Sequence, residues 1–304
     1  MRNPLITIII PAYNYGHLLK RSITSVINQL SEDIELIIVN DGSTDNTLEV
    51  LKNLAKTYPQ KFTYYSKKNG GSASARNYGI KKSNGEFLMF LDADDELVYG
   101  SINVLKTYIR ENPENEFIVG GNYIISSRGN ISYHKPKKMS SSAYERVNSY
   151  LIKKTISLSN GSCLMHRNIF KKIRYPEKFR NSEDLPIFAY SLANFNCGIV
   201  DTPILVIHKH QDSLRHNLEF TEKVGLSIVD EIFHSKYLSE EFHQLKKQYM
   251  TKRTLSLSKI YFNSGNLKLG RKYYRKAFKS DWLIAFNLKL TRKFIQSYLR
   301  FSDN

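Results

Sequence analysis

Apolar residues fall in short unbroken blocks along the first third of the chain. Leu5-Ile6-Thr7-Ile8-Ile9-Ile10 stops at Pro11, residues 34–39 stop just before Asp41, and residues 87–91 stop at Asp92. Runs of this length, rich in β-branched side chains, predict strands covered on both faces of a sheet. Residues 62–65 predict another. Between the blocks the period changes. Leu19, Ile23, Val26, Ile27 and Leu30 recur at helical spacing, as do Thr47, Val50, Leu51 and Leu54. The turn Asp41-Gly42-Ser43-Thr44-Asp45 also supplies a helix N-cap. A third helix, through Ala73, Arg76, Asn77 and Ile80, follows Asn69-Gly70-Gly71-Ser72. This alternation predicts a parallel α/β sheet with right-handed crossovers. Such sheets bind ligands beyond the carboxyl ends of their strands, where Pro11, Asp41 and Asp92 all stand.

Beyond residue 96 the pattern loosens. Residues 118–126 and 131–134 predict a hairpin around Arg128-Gly129-Asn130, and residues 162–166 and 204–207 predict short strands. Ser182-Glu183-Asp184 opens a helix carrying Ile187, Phe188, Tyr190 and Leu192. From residue 218 the chain reads as helices rich in Lys, Arg, Tyr and Phe.

The 304 residues, 41% of them hydrophobic, suffice for one large α/β domain and an appendage. A net charge of +17 favours polyanionic partners: nucleic acid, anionic headgroups or phosphorylated ligands. Cys163 and Cys197 are far apart and form no CxxC, which argues against a disulfide framework or a zinc site. Two buried thiols in a reducing compartment is the expectation. The N-terminus is too short for a signal peptide and no stretch has bilayer-spanning length, so a cytoplasmic protein is expected, with peripheral membrane contact left open.

Two carboxylate pairs carry candidate chemistry. Asp92-Ala93-Asp94 follows a buried strand, where two nearby carboxylates need a cation or hydrogen-bond donors to offset their repulsion. Mg²⁺ or Mn²⁺ would serve, because these ions take oxygen ligands and share them with substrate phosphates. The alternative is an acidic turn that caps the next helix. Glu183-Asp184 stands at a predicted helix start, which suits acidic residues on electrostatic grounds without any catalysis.

Four segments carry a resemblance: Ile8-Ile9-Ile10-Pro11-Ala12-Tyr13-Asn14, Val39-Asn40-Asp41-Gly42-Ser43-Thr44-Asp45, Gly70-Gly71-Ser72-Ala73-Ser74-Ala75-Arg76-Asn77, and Phe90-Leu91-Asp92-Ala93-Asp94. In order and spacing the chain resembles the family 2 inverting glycosyltransferases of the GT-A fold, whose central sheet is Rossmann-like. The resemblance implies a catalytic domain over residues 1–217, with a nucleotide-sugar donor half at 1–96 and an acceptor half at 97–217. Residues 218–304 would form a basic amphipathic helical extension. It also implies donor-binding roles for Pro11, Tyr13, Asn14, Asp41, Arg76, Asn77, Asp92 and Ser213. Pro11 and Tyr13 would line the nucleobase pocket, Asp41 would accept hydrogen bonds from the base, and Arg76 would face the diphosphate. Asp92, Asp94 and His210 would hold Mn²⁺ or Mg²⁺. His208 stands so near that the choice between the two histidines stays open. Asp184 matches the general base, which removes the acceptor hydroxyl proton, with Glu183 next in line. Asn160-Gly161-Ser162-Cys163 resembles the family's acceptor-side segment.

The C-terminal stretch from Lys268 onward mixes Arg271, Lys272, Arg275, Lys276, Lys279, Lys289, Arg292 and Lys293 with aromatic and aliphatic residues, and Asp281 is the acid among them. That mixture describes a helix lying on an anionic membrane surface. It equally describes a hairpin that packs an apolar stripe on the catalytic domain. The resulting expectation is a glycosyltransferase, hexosyl- or N-acetylhexosaminyl-, that uses a UDP-sugar and a glycan or lipid-linked acceptor. Its setting would be bacterial surface polysaccharide or lipopolysaccharide assembly on the inner face of the cytoplasmic membrane. A nucleic-acid-binding module fits less well, since no helix-turn-helix, zinc finger or RNP signature is present. A nucleotidyltransferase would carry a Gly-rich, Lys-bearing phosphate loop after the first strand, and Pro11-Ala12-Tyr13-Asn14 is not one.

Overall fold

A computed structural model describes residues 3–209 and 218–299. The chain runs β1 (Ile6–Ala12), α1 (Gly16–Ile27), β2 (Ile34–Asn40), α2 (Thr47–Thr57), β3 (Thr63–Ser66), α3 (Ser72–Lys82) and β4 (Phe87–Phe90). Then come β5 (Glu96–Leu97), α4 (Ser101–Glu111), β6 (Phe117–Ile125), β7 (Ile131–His134), α5 (Ala143–Asn148), β8 (Cys163–His166), α6 (Ile169–Lys172), α7 (Asp184–Asn194) and β9 (Cys197–His208). The remaining described helices are α8 (Leu218–Val224), α9 (Ser227–Ile232), α10 (His243–Asn263), α11 (Leu267–Ser280), α12 (Trp282–Ala285) and α13 (Leu288–Leu299).

The described strands form one sheet in the order β3-β2-β1-β4-β8-β6-β9-β5, with β7 paired to β6. β1 to β4 pair parallel, as the alternation predicts. Past β4 the sheet turns mixed: β8 runs antiparallel to β4 and β6, and β5 antiparallel to β9, while β6 and β9 are parallel. The predicted hairpin is β6–β7. The strand expected at 204–207 is the end of the longer β9, whose start is masked in the sequence by Asp201-Thr202-Pro203. The sequence pattern also left α4 unassigned, although Ile102, Leu105 and Ile109 recur at helical spacing and are buried.

Alternation along the central strands splits the core in two. Ile9, Ile37, Val39, Leu88 and Phe90 pack with Ala73, Ala75, Ile187, Phe188 and Ile228 on one face. Ile8, Ile10, Ile38, Met89 and Leu91 pack with Leu19, Ile23, Leu51, Ile102 and Leu105 on the other. Gly79 is required where α3 crosses β1: a Cβ there would fall 2.5 Å from Ile9 Cγ2. Core packing does not stop at residue 217. Val224, Val229, Ile232, Phe242, Leu245 and Tyr249 share the first cluster, so α8, α9 and the first half of α10 close the catalytic core. A separate small cluster of Phe262, Tyr274 and Leu290, flanked by Leu255, Leu267 and Phe294, joins the end of α10 to α11 and α13. Cys163 is buried, whereas Cys197 is half-buried; neither is in a disulfide.

Candidate active site

The carboxyl ends of β1, β2 and β4 meet the N-termini of α3 and α7. Asp41, directly after β2, is 2% exposed. Its carboxylate accepts from Lys67 Nζ at 2.7 Å, from Gly70 N at 3.0 Å and from Gly71 N at 2.6 Å. Gly71 has φ +88, a left-handed conformation that leads into α3 and that glycine adopts without strain. Asp41 therefore anchors the Gly70-Gly71 loop. Neither Lys67 nor Arg180, which donates from Nη1 to Asn69 Oδ1 at 3.2 Å, is found by the motifs. The Lys67-Lys68 pair just ahead of the glycines was the available signal.

Arg76 projects from α3 into the protein interior and is 5% exposed. Nη2 donates to Asp92 Oδ1 at 2.8 Å and Nη1 to Glu183 Oε1 at 2.8 Å. Ser72 Oγ adds a 2.5 Å hydrogen bond to the same Glu183 oxygen. The guanidinium also lies over the Tyr175 ring, 5.4 Å from its centroid. Burial works against the Arg76 charge, but Asp92 and Glu183 outweigh it and hold its pKa above the usual guanidinium value. The expectation of a guanidinium facing a diphosphate meets a different geometry, because both terminal nitrogens are committed to carboxylates. Arg76 ties the end of β4 to the start of α7.

Asp184 is the first residue of α7, next to that tie. Burial, then the neighbouring Glu183 charge, raises its pKa to about 6, with Arg76 pulling the other way. A carboxylate so placed is rigid and accepts a proton near neutral pH.

Asp92, Asp94 and Asp95 bring carboxylate oxygens within 4.8 Å of one another. This all-oxygen donor set fits a hard divalent ion such as Mg²⁺ or Mn²⁺. Asp92 also accepts from Arg76, and Asp95 Oδ1 accepts from His208 N at 3.0 Å. Arg21 on α1 donates to the Asp94 carbonyl, which holds the turn against the helix. The His208 ring pairs with Glu96 Oε1 at 2.7 Å across β5 and β9, so its imidazole is engaged at the sheet edge. His210 and Ser213 lie outside the described residues.

Four other residues of the donor set are placed as follows. Tyr13 is 44% exposed beyond β1, with its ring accessible for stacking, and Pro11 is half-buried within β1. Asn14 (φ 58) uses Oδ1 to accept from Thr44 N at 2.8 Å, which fastens the β1 turn to the β2 turn. Asn77 brackets Tyr175, accepting from its N at 3.0 Å and donating to its O at 2.8 Å. Asn14 and Asn77 thus hold the walls together. Cys163 is pushed well above the thiol range by burial and offers no nucleophile.

The arrangement, a parallel half joined to a mixed half across an acidic strand end, is the GT-A architecture. Among solved structures it is similar to S. aureus TarS 1-349 in complex with UDP-GlcNAc, with a TM-score of 0.66 at 19% identity over 96% of this chain and 89% of that one. Residues 7–174 match Glycosyl transferase family 2, and the chain belongs to that family. An uncharacterized glycosyltransferase of Rickettsia bellii is 41% identical over 112 residues, 37% of this chain and 16% of that protein. The GalNAc(5)-diNAcBac-PP-undecaprenol beta-1,3-glucosyltransferase of Campylobacter jejuni is 31% identical over 186 residues, 59% of this chain and 57% of that protein. The chain thus spans less than two thirds of the length of these relatives.

Proposed function

We propose that this protein transfers a sugar from a UDP-sugar to a hydroxyl of a glycan or lipid-linked glycan, with inversion at the anomeric carbon, in bacterial surface polysaccharide assembly. The observation that carries this reading is Asp184, seated at the start of α7 and tied through Glu183 and Arg76 to Asp92 at the end of β4. The acceptor hydroxyl donates its hydrogen bond to Asp184. As its oxygen bonds to the anomeric carbon, the bond from that carbon to the diphosphate oxygen breaks and UDP leaves with the electron pair. The proton ends on Asp184. Attack opposite the leaving group inverts the centre. Tyr13 stacks on the nucleobase, and the ordered turns at Asn14 and Asp41 shape its pocket. Asp92 and Asp94 would hold Mn²⁺ or Mg²⁺, which when bound neutralises charge on the departing diphosphate.

The relatives support the substrate classes: the TarS structure contains UDP-GlcNAc, and the Campylobacter enzyme is named for a lipid-linked acceptor. No helix among the described residues is long and apolar enough to cross a membrane. The proposal includes contact of α11 to α13 with an anionic membrane surface, since Trp282, Leu283, Phe286, Leu288, Ile295 and Leu299 are exposed beside the lysines.

A screen of UDP-, GDP- and TDP-sugars with Mn²⁺, read as release of free nucleotide diphosphate, tests the donor. Release from a UDP-sugar is expected, and Asp94→Ala should lose the metal-dependent part of UDP affinity by calorimetry. Release confined to GDP- or TDP-sugars, or UDP affinity indifferent to EDTA, overturns the donor reading.

A further inference from the structure

Within electrostatic range of Asp184, three cations gather without an ion-pair partner among the described residues. A π-helical turn, Ser149–Lys153, follows α5 and ends at Lys154, which takes the left-handed conformation φ 55, ψ 32. Single-turn π segments and strained backbone of this kind collect at functional sites, and lysine gains nothing locally from a conformation that suits glycine. The conformation puts Lys154 Nζ 5.6 Å from the ring centroid of Tyr150 on the turn and 5.6 Å from that of Tyr249 on α10. Both tyrosines are buried. Lys252 and Arg253 come three and four residues after Tyr249, on the same side of α10. Lys252 Nζ donates to Ile152 O at 2.9 Å and Arg253 Nε to Gly225 O at 3.1 Å. These bonds aim the two side chains and leave their charge uncompensated. None of the three forms an ion pair among the described residues.

Burial first, then the charges of Lys252 and Arg253, lower the pKa of Lys154, with Asp184 opposing. The Asp184 charge also reaches Tyr150 and Tyr249, so the cluster lies within electrostatic range of that carboxylate. Three adjacent like charges with no ion-pair partner among the described residues favour an anion from outside. Two ammonium groups and a guanidinium match the charge and the hydrogen-bonding capacity of phosphate.

We propose that Lys154, Lys252 and Arg253 form an acceptor subsite that binds a phosphate group carried by the acceptor, while its hydroxyl faces Asp184. The inference rests on the reading of Asp184 as the base of glycosyl transfer. Phosphate in a polyol-phosphate chain and the diphosphate of a prenyl-linked glycan share this chemistry.

Calorimetry on the full chain with EDTA present tests it, using a glycerol-phosphate oligomer, farnesyl diphosphate and the uncharged counterparts glycerol oligomer and farnesol. Binding of a phosphate probe and not of its uncharged counterpart is expected. A response to the oligomer assigns the subsite to polyol phosphate, and a response to farnesyl diphosphate assigns it to a lipid-linked diphosphate. Lys154→Gln should weaken the bound probe roughly tenfold, the loss of one charge-assisted hydrogen bond. Lys154→Gly removes the same cation while easing the left-handed backbone, so its melting temperature should not fall although its phosphate affinity does. Lack of binding by either phosphate probe, or equal binding by wild type and both Lys154 variants, overturns the subsite. Failure of the glycosyl-transfer reading looks different: UDP affinity with Mn²⁺ is then absent while the phosphate probe still binds and still depends on Lys154.

Discussion

The strand ends around Asp92 and the helices α11 to α13 handle charge in opposite ways. Around Asp92 the charged groups are spent on one another. Arg76 holds Asp92 and Glu183, and Lys67 and two backbone N–H groups hold Asp41. In α11 to α13, Lys268, Lys272, Lys276, Lys279, Lys289 and Arg292 are exposed and form no ion pair among the described residues, beside exposed Trp282, Leu283 and Phe286. Internal pairing in a low-dielectric interior fixes geometry, as a site for group transfer requires. Unpaired surface charge beside apolar side chains fixes nothing within the molecule, and its energy is available to a partner outside it.

The largest effect should come from the paired region. Asp184→Asn is close to isosteric and removes the base, so transfer should fall by roughly 10²–10⁴-fold while UDP affinity stays within about twofold. Near-normal turnover would move the base elsewhere, first to Glu183. Next comes the clamp. Arg76→Met leaves Glu183 and Asp92 without their shared cation, and unfolding in urea should show a loss of about 3 kcal/mol. That is the lower end for a broken buried pair, because Asp92 is partly exposed. A loss below about 1 kcal/mol would class the clamp with surface ion pairs.

Smaller and additive effects are expected from the unpaired region. Neutralising Lys272, Lys276, Lys279 and Lys289 to Gln should weaken flotation with phosphatidylglycerol vesicles by about 1 kcal/mol, roughly fivefold, per charge. UDP-sugar hydrolysis in solution serves as the control. Binding should also fall with salt as the Debye length shrinks from about 10 Å at 0.1 M to about 3 Å at 1 M. Flotation indifferent to anionic lipid would remove the contrast between the regions. A further effect, which returns to the paired region, is in pH. Asp184 acts as a base when ionised, so the rate should climb through pH about 6 and level off above it. Its raised pKa makes the folded chain bind that proton more tightly than the unfolded chain does. This stabilisation is full below the ordinary 3.8 and is lost as pH rises through about 6. Asp184→Asn should therefore flatten stability between those limits, and an unchanged pH profile of thermal melting would contradict the shift.

Much of the first hundred residues could be read in advance. β1, β2, β4 and α1 to α3 follow from apolar runs and periods, since a strand buried on both faces needs an unbroken run and a half-buried helix needs a stripe. Of the motif residues, Arg76, Asp92 and Glu183 join in one ion-pair cluster, and Asp41 holds the loop that leads into α3. What each grips was not legible. The Arg76–Glu183 bond joins positions 107 apart in the chain, and the Asp95–His208 bond positions 113 apart. The acceptor half was harder still, because β8, β6 and β9 pair in mixed directions and a Pro interrupts the longest strand.

By itself the sequence determined which residue types were available and where each strand had to stop, because hydrophobic period and turn chemistry act over a few neighbouring residues. Whether a charge is spent inside or left for a partner was decided by tertiary structure. Arg76 and Lys276 are equally cationic on paper. One is buried in α3 between two carboxylates, and the other faces water on α11. Ion pairing depends on a few ångströms between groups that only the folded chain brings together.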